Sequence, residues 1–540
     1  MTALRARWLL LGVAAAVLVG HSLAYNFVTD DAYISFVFSR NFAEHGQLAF
    51  NLGEPVEGYT NFLWTVILGL GMLVGVPPEL SSRVLGTLCA LGTLWLVFRM
   101  VERALGRPSP WACLAPLLLA CSSGFACWTS GGLETQLFTV LVAGALDAFV
   151  AGVDQPRALR RMAICLALAA MTRPEGVLLA AVLGAARYLQ LALGRRWLPG
   201  RAELVAAAWF LALWAPWFAW RWHYYGYPFP NTYYVKASGP WANPHMAIEM
   251  REHGLYYIWV WLRQTRLVFA LPIALVGLAA AGPRTSPQRF ALTSACALIA
   301  VVYVPYAISV GGDFMGLHRF IMPLFVVAAI AVALGLEWLA GRVAPRLQAR
   351  VGWIAAGVVV AGFAWTQVEL TRESLRADNL AADHGVIDTP AFLILYTEDR
   401  AAIGRAMDPC FHPDDLSIVG GAGAQPYFGH MRAIDVFGLV SEKIAHEEPR
   451  IRPRAGHTKF ASPQVIAAYD PTFVFSCYAL HATPAVPPME RWQSPCDVAF
   501  WTAKGYEELT MRVPGARQFG EYYTFFAKKA RLFECPGLVR

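Results

Sequence analysis

Charge is what this sequence has least of. Asp, Glu, Lys and Arg make up 15% of its 540 residues and hydrophobic residues 57%, whereas an ordinary soluble domain carries about 25% and about 45–50%. A soluble core of this size would need polar residues to cover it, so a soluble enzyme is excluded, and so are a fibrous protein and a disordered chain. Signature motifs are missing as well. There is no P-loop, nucleophile elbow or zincin helix, and no CxxC or His/Cys spacing of a metal site. Internal repeats and broken helices in matching positions, which a transporter should show, are also absent.

What is present is apolar sequence in runs of about 20 residues, recurring from the N-terminus to Phe363. Hydropathy predicts a polytopic α-helical membrane protein with about eleven spans, at 7–27, 80–99, 110–127, 133–151, 160–172, 176–193, 203–221, 264–281, 290–310, 320–340 and 351–368. Two of these are short for a crossing. Residues 1–368 form the membrane part, with a large first outer loop at 28–79, and 369–540 form an α/β domain outside the membrane. The net charge of +7 is located in the connections: Arg99/Arg103/Arg107, Arg157/Arg160/Arg161, Arg195/Arg196/Arg201, Arg284/Arg289 and Arg342/Arg346/Arg350 fall after every second span. By the positive-inside rule these loops face the cytoplasm, as do Arg5 and Arg7. The expected location is therefore the cytoplasmic membrane, with the N-terminus inside and the C-terminal domain outside. The basic balance serves topology and calls for no nucleic acid. Residues 1–24 also read as a secretory signal ending at Ser22-Leu23-Ala24; orientation is the same either way.

Two helices of the first outer loop are expected not to span. One starts at Asp31, with a polar row at Asp31, Ser35 and Ser39 beside an apolar row at Ile34, Val37, Phe38 and Phe42; the other covers Asn61 to Gly75. In the tail, short strand-like runs at Leu416–Val419, Ala433–Phe437 and Thr472–Ser476 alternate with turns. Its cysteines, Cys410, Cys477, Cys496 and Cys535, are disulfide candidates in an oxidising compartment, with three connectivities open. Gly420-Gly421-Ala422-Gly423-Ala424 reads as a turn ending a strand rather than a nucleotide loop, because Gln425-Pro426 follows where a third glycine and a helix should be.

Polar clusters gather on the outer side of this topology. Ionisable residues at membrane depth cost a few kcal/mol each unless paired or hydrated, so their concentration on one face predicts a polar cavity. Asp30 and Asp31 suffice as helix caps, but two adjacent carboxylates exceed a cap's needs, and their proximity can raise one pKa enough to make a general base. Tyr33 follows them. Glu57, Tyr59 and Asn61, and Glu134, are candidate substrate-binding residues or structural hydrogen-bond partners. Arg173 and Glu175 read as an ion pair across Pro174, or as a phosphate grip. Asn231, Tyr233 and Lys236, with Asp313, His318 and Arg319, flank the same cavity; snorkelling and an interfacial aromatic belt are the plainer readings of the cations and tyrosines.

Asp30-Asp31-Ala32-Tyr33-Ile34-Ser35-Phe36 together with Phe50-Asn51-Leu52-Gly53-Glu54-Pro55-Val56-Glu57-Gly58-Tyr59-Thr60-Asn61-Phe62-Leu63-Trp64 resembles the GT-C glycosyltransferases related to the terminal β-1,2-arabinofuranosyltransferases of mycobacterial arabinan. The resemblance continues through Ser130–Glu134, Thr172–Gly176, Pro230–Tyr234, Gly312–Met315 with His318–Phe320, Ile434–Leu439 and Ile444–His446. Val37 and Phe38 stand where a close relative would carry Arg and Tyr, and the tail is short. The resemblance implies a GT-C fold and a sugar donor on a polyprenyl-phosphate carrier at the outer leaflet. It also implies an Asp of the first outer loop as base. An acceptor hydroxyl near pKa 15 needs such a base, Asp30 first and Asp31 second, whereas phosphate leaves without a general acid if positive charge meets it. Arg173, Lys236, His318 and Arg319 are the candidates for that charge, and a single displacement inverts the anomeric centre. The partners expected are the lipid-linked donor, a cell-envelope glycan or glycolipid acceptor, and membrane lipid. No cofactor is required and no metal cage is predicted, although the chemistry allows a divalent ion on the phosphate. The competing reading is a transporter or flippase for lipid-linked sugars.

Overall fold

The computed structural model describes residues 3–283, 286–343, 348–378, 386–487 and 496–539; Arg284 and Arg346 of the basic loops lie outside them. Every expected span falls on a helix. Among the described residues seven helices are long and apolar enough to cross a membrane: Arg5–Tyr25, Pro78–Leu105, Glu175–Leu193, Arg201–Tyr225, Pro287–Ser309, Gly316–Arg342 and Gly352–Ser374. The remaining expected spans differ from simple crossings. Thr135–Ala151 and Ala158–Thr172 are only 17 and 15 residues long. Span 110–127 is two segments meeting at 63°, and 264–281 covers the second half of a pair bent by 87° at Thr265 and Arg266.

The first break has a visible cause. Ser122 is extended, and Ser123 leaves the helical ladder to donate its hydroxyl to the Gln367 carbonyl at 2.6 Å and its N–H to the Gln367 side chain at 3.1 Å. The freed segment Ser123–Ser130 turns inward, where the Trp128 indole donates to the Gly316 carbonyl at 3.0 Å. Gly124 is required there, because a Cβ would stand 2.6 Å from the Leu317 carbonyl oxygen.

The first outer loop carries the two expected short helices, Asp30–His45 and Phe62–Leu73. Thr29 is extended before the first, and Gly46 ends it in the left-handed region at φ 70°. The two helices are stitched by the Ser39 hydroxyl, which donates to the Thr65 carbonyl at 2.8 Å. Phe36 and Phe38 are fully buried between them and the neighbouring elements.

The C-terminal region is α/β, as expected. Its strands are β1 Leu416–Val419, β2 Arg432–Asp435, β3 Phe473–Val474, β4 Leu480–His481, β5 Tyr506–Arg512, β6 Tyr522–Lys528 and β7 Leu538–Val539, in one mixed sheet ordered β2-β1-β3-β6-β5-β7 with β4 paired to β6. β1 runs parallel to both β2 and β3, whereas β6 is antiparallel to β3 and β5. Alternation sends Phe473, Phe475 and Phe525 into one core, and Ile418, Ile434, Val474 and Phe526 into another with Trp501. The four cysteines pair as Cys410–Cys535 and Cys477–Cys496, with Cα atoms 5.5 and 5.2 Å apart.

Candidate functional site

Asp30 and Asp31 open their helix at the seam between the membrane helices and the α/β region. From the far side of the seam comes the glycine-rich turn after β1. The Ala424 N–H donates to Asp30 Oδ1 at 2.7 Å, and a Cβ on Gly423 would lie 2.0 Å from the Asp30 carbonyl oxygen and 2.5 Å from Oδ2. Only a side-chain-free turn permits this approach, which gives the Gly420–Ala424 run a structural reason without any nucleotide. Burial and the neighbouring Asp31 push the Asp30 carboxyl up to about 6, against the pull of the Ala424 N–H and Arg400. Burial also raises Asp31, opposed first by Arg319 and then by Lys236.

Two cavities meet here. One, of about 210 Å³, is lined by Asp30, Asp31, Tyr396, Arg400, Phe437 and Tyr478, among others, and is roofed by the α/β region. The other, of about 430 Å³, lies among the membrane helices and is lined by Arg173, Glu175, Tyr233, Lys236, Asp313 and Arg319. Phe314 borders both, and Asp31 bridges them electrostatically, with Oδ2 3.8 Å from an Arg319 nitrogen.

The cations of the second cavity are held by carboxylates. Arg319 donates to Asp313 at 2.7 Å. Arg173 donates to Glu134 at 2.7 Å and to both oxygens of Glu175 at 3.2 and 3.3 Å. Behind them, the Asn61 amide donates to the other Glu134 oxygen at 2.9 Å and is itself paired with Ser35. Lys236 has its side chain exposed in the cavity, and burial of the region lowers its ammonium pKa. Arg319 rides on a tight turn in which Leu317 and His318 have left-handed φ of 58° and 63°, and Gly311 and Gly312 before it, at φ 80° and 72°, pack on Met250 and Tyr257.

Other sequence candidates are placed elsewhere. His318 is 2% exposed and turned to Gln264, 2.8 Å away, with its ring against Tyr257. Glu57 is paired with Arg221 at 2.8 Å, and the Tyr59 and Tyr225 hydroxyls are 2.9 Å apart. The Asn231 side chain donates to the carbonyls of Gly438 and Leu439 at 2.7 and 2.9 Å, while its N–H donates to the Glu57 carbonyl at 3.0 Å. Glu57, Tyr59 and Asn231 thus form a clamp that joins the first outer loop to the Arg201–Tyr225 helix and to the loop after β2. Burial pushes the Glu57 carboxyl up despite Arg221. Tyr33 packs on Tyr427 and Phe428 and lines neither cavity.

Some site residues escaped the sequence reading. Arg400 and Tyr396 sit on one face of the helix Pro390–Met407, and Arg454 donates to both carboxylate oxygens of Asp388 at 2.8 Å. Asp435, fully buried, holds the loop after β2 through the Val440 N–H at 2.8 Å. Burial pushes it up to about 6. The Ile434–Leu439 string was visible in sequence; its hold on Asn231 was not. Among the described residues, no three His, Cys, Asp or Glu side chains are grouped as a metal ion would need.

Comparison with known proteins fits this geometry. The chain is 25% identical over 547 aligned residues to the terminal beta-(1->2)-arabinofuranosyltransferase of Mycobacterium tuberculosis (strain ATCC 25618 / H37Rv), covering 85% of each. The resemblance to the GT-C glycosyltransferases holds. In fold, the chain is similar to ArnT from Cupriavidus metallidurans bound to undecaprenyl phosphate, with TM-score 0.54 and 16% identity over 83% of this chain and 89% of that one. Residues 393–526 also match a domain of unknown function, DUF8728. The chain has the fold of a multi-pass GT-C membrane protein.

Proposed function

We propose that the protein transfers a sugar, an arabinofuranose-like pentose, from a polyprenyl-phosphate carrier to a hydroxyl of a cell-envelope glycan or glycolipid on the outer face of the cytoplasmic membrane. The observation that carries this reading is that the cavity lined by Asp30 and Asp31 adjoins, across Phe314, the cavity lined by Arg173, Lys236 and Arg319, with Asp31 3.8 Å from Arg319. One side of that junction offers Arg173, Lys236 and Arg319 to a phosphate at membrane depth. The other offers a carboxylate to an acceptor entering under the α/β region. The support for the sugar is the similarity to an arabinofuranosyltransferase, and for the carrier the likeness in fold to a protein solved with undecaprenyl phosphate.

Asp30 acts as the base. One oxygen is fixed by the Ala424 N–H, which orients the carboxylate, and a pKa near 6 lets it be ionised yet basic enough at neutral pH. It takes the acceptor proton as the hydroxyl oxygen attacks the anomeric carbon and the carbon–phosphate oxygen bond breaks, inverting that centre. Asp31 holds Arg319 toward the junction, and Arg319 with Lys236 meets the charge that grows on the departing phosphate.

The test is Asp30→Asn with purified donor and acceptor. Transfer should fall by about 10²–10⁴-fold while donor binding persists; near-normal transfer by both the Asp30 and Asp31 variants would sink the base mechanism and favour lipid transport. Orientation is tested separately, by reporter fusions after Arg289 and after Glu369, which should report opposite sides of the membrane.

A further inference from the structure

The helix Pro390–Met407 has two working faces. Leu393, Tyr396 and Arg400 line the cavity below the α/β region, while Ile394, Thr397, Ala401 and Arg405, one step round the helix, line a separate pocket of about 680 Å³. This second pocket shares no lining residue with either cavity of the proposed reaction. Its opposite wall is the outer end of the first membrane helix with the residues after it, Tyr25 to Val28, and Arg83 near the start of the helix Pro78–Leu105.

Three guanidinium groups reach the pocket: Arg83 from the membrane helices, and Arg405 and Arg517 from the α/β region. Glu398 is the one acidic residue lining it among the described residues, and it is paired with Arg517. Arg83 and Arg405 have no side-chain hydrogen bond or ion pair among the described residues. The Arg83 Nε is buried and lacks a partner, and the Arg405 guanidinium lies over the Phe428 ring at 4.0 Å. Arg405 and Arg517 are exposed, so the cost falls on Arg83, whose buried Nε lacks a partner; an anion in the pocket meets that group and gains charge-assisted hydrogen bonds from both sides of the seam. The surface beside them says which anion. Leu80, Val84 and Leu88 form an i, i+4, i+8 row on the Pro78–Leu105 helix, 55%, 48% and 59% exposed, and Leu23 on the first helix is 65% exposed. Exposed leucines and valine on membrane helices are lipid-facing, so Arg83 stands at headgroup level directly beside acyl chains.

We propose that this pocket binds the phosphate headgroup of an anionic membrane lipid, clasped by Arg83 on one side and by Arg405 and Arg517 on the other. The lipid ties the α/β region down onto the membrane helices along the back of the helix that carries Tyr396 and Arg400 on its front. The inference needs only that the chain spans a membrane; it is independent of sugar transfer.

The test uses the full-length protein in nanodiscs of phosphatidylcholine with a minor fraction of phosphatidylglycerol, read by native mass spectrometry of the retained lipid. Wild type should keep phosphatidylglycerol in preference to phosphatidylcholine. Arg83→Gln and Arg405→Gln should each weaken that preference by about fivefold, and the double variant by more. Millimolar inorganic phosphate should not displace the lipid, and Asp30→Asn should retain it, which separates this site from the proposed reaction. Equal retention of the two lipids by wild type would overturn the proposal, and that comparison needs no variant to fold. An unchanged preference in the double variant would also overturn it. Displacement by inorganic phosphate would do the same, by reassigning the pocket to a soluble anion.

Discussion

Two polar clusters of the same chemistry are built on the segment 28–79, and they end differently. Around the junction, Arg319, Lys236 and the Asp30–Asp31 pair line the two cavities, Asp31 meets Arg319 only at 3.8 Å, and Lys236 is exposed. In the clamp, Glu57 and Arg221 are 5% and 4% exposed and bonded at 2.8 Å, Tyr59 meets Tyr225, and Asn231 spends its amide on carbonyls of the loop after β2. Glu57 Oε2, Arg221 Nη2 and Asn231 Oδ1 are buried without a partner among the described residues, and none of these residues lines either cavity. Both clusters were equally prominent as motifs. The difference teaches that a polar residue near a membrane serves either a ligand or the fold, and that whether it opens on a cavity, rather than its residue type, tells which.

The sharpest way to break the comparison is Asp30→Asn. If the junction serves chemistry, turnover should fall by about 10²–10⁴-fold with little change in thermal stability, because Asn keeps the size and much of the capping ability of Asp. A melt lowered in step with activity would make Asp30 another clamp residue. Next comes Arg319→Gln. It removes the cation nearest the junction and leaves Asp313 buried without its 2.7 Å partner, so both readouts should move: stability by about 3–5 kcal/mol and transfer by about tenfold or more. Chemical denaturation in mixed micelles and initial rates at varied donor concentration would measure the two. Unchanged donor dependence would place Arg319 on the fold side.

Glu57→Gln tests the other cluster. Gln retains an acceptor for Arg221 but loses the charge, and the expected loss is about 1–3 kcal/mol, with transfer per folded molecule unchanged. A drop in turnover of the folded fraction larger than about tenfold would move Glu57 to the chemical side. The smallest expected effect is in pH. The Asp435 carboxyl is pushed up to about 6 in the folded protein from an ordinary 3.8, so folding favours its protonated form. Its contribution to stability should be full below about pH 4 and lost as pH rises through about 6. Transfer should run the opposite way over the same range, rising with pH as Asp30 ionises near 6. Melting temperature and turnover measured from pH 4.5 to 7.5 should therefore diverge, and Asp435→Asn should lessen the slope of the first curve, to which Asp30 adds a like share, and leave the second unchanged.

How far the site was legible follows from where its partners sit. Asp30, Asp31, Arg173, Glu175, Lys236, Asp313 and Arg319 stood out because a charge beside apolar runs is conspicuous in one dimension, and the structure brings all seven to the two cavities. Arg400 and Tyr396 were not legible: they lie on an ordinary amphipathic helix of the α/β region and matter only because that helix packs over the junction. His318 looked like its neighbour Arg319, yet the left-handed turn at Leu317 and His318 sends the imidazole to Gln264. A turn of that kind has no signature in residues that are not glycine.

The sequence by itself determined the class of molecule and where its helices and strands run. Run length and period-2 strands are local properties, set by hydrocarbon thickness and backbone geometry, and every expected span met a helix. Which spans are continuous was decided in three dimensions, since the break at Ser122 exists only because Gln367 offers Ser123 better partners than its own helix. So was the sorting of charges into site and clamp. Glu57 and Arg221 are 164 residues apart, and Asp30 and the Ala424 N–H that orients it are 394 apart. Hydrogen bonds and ion pairs act over a few ångströms, so a contact spanning that much chain is fixed by packing alone.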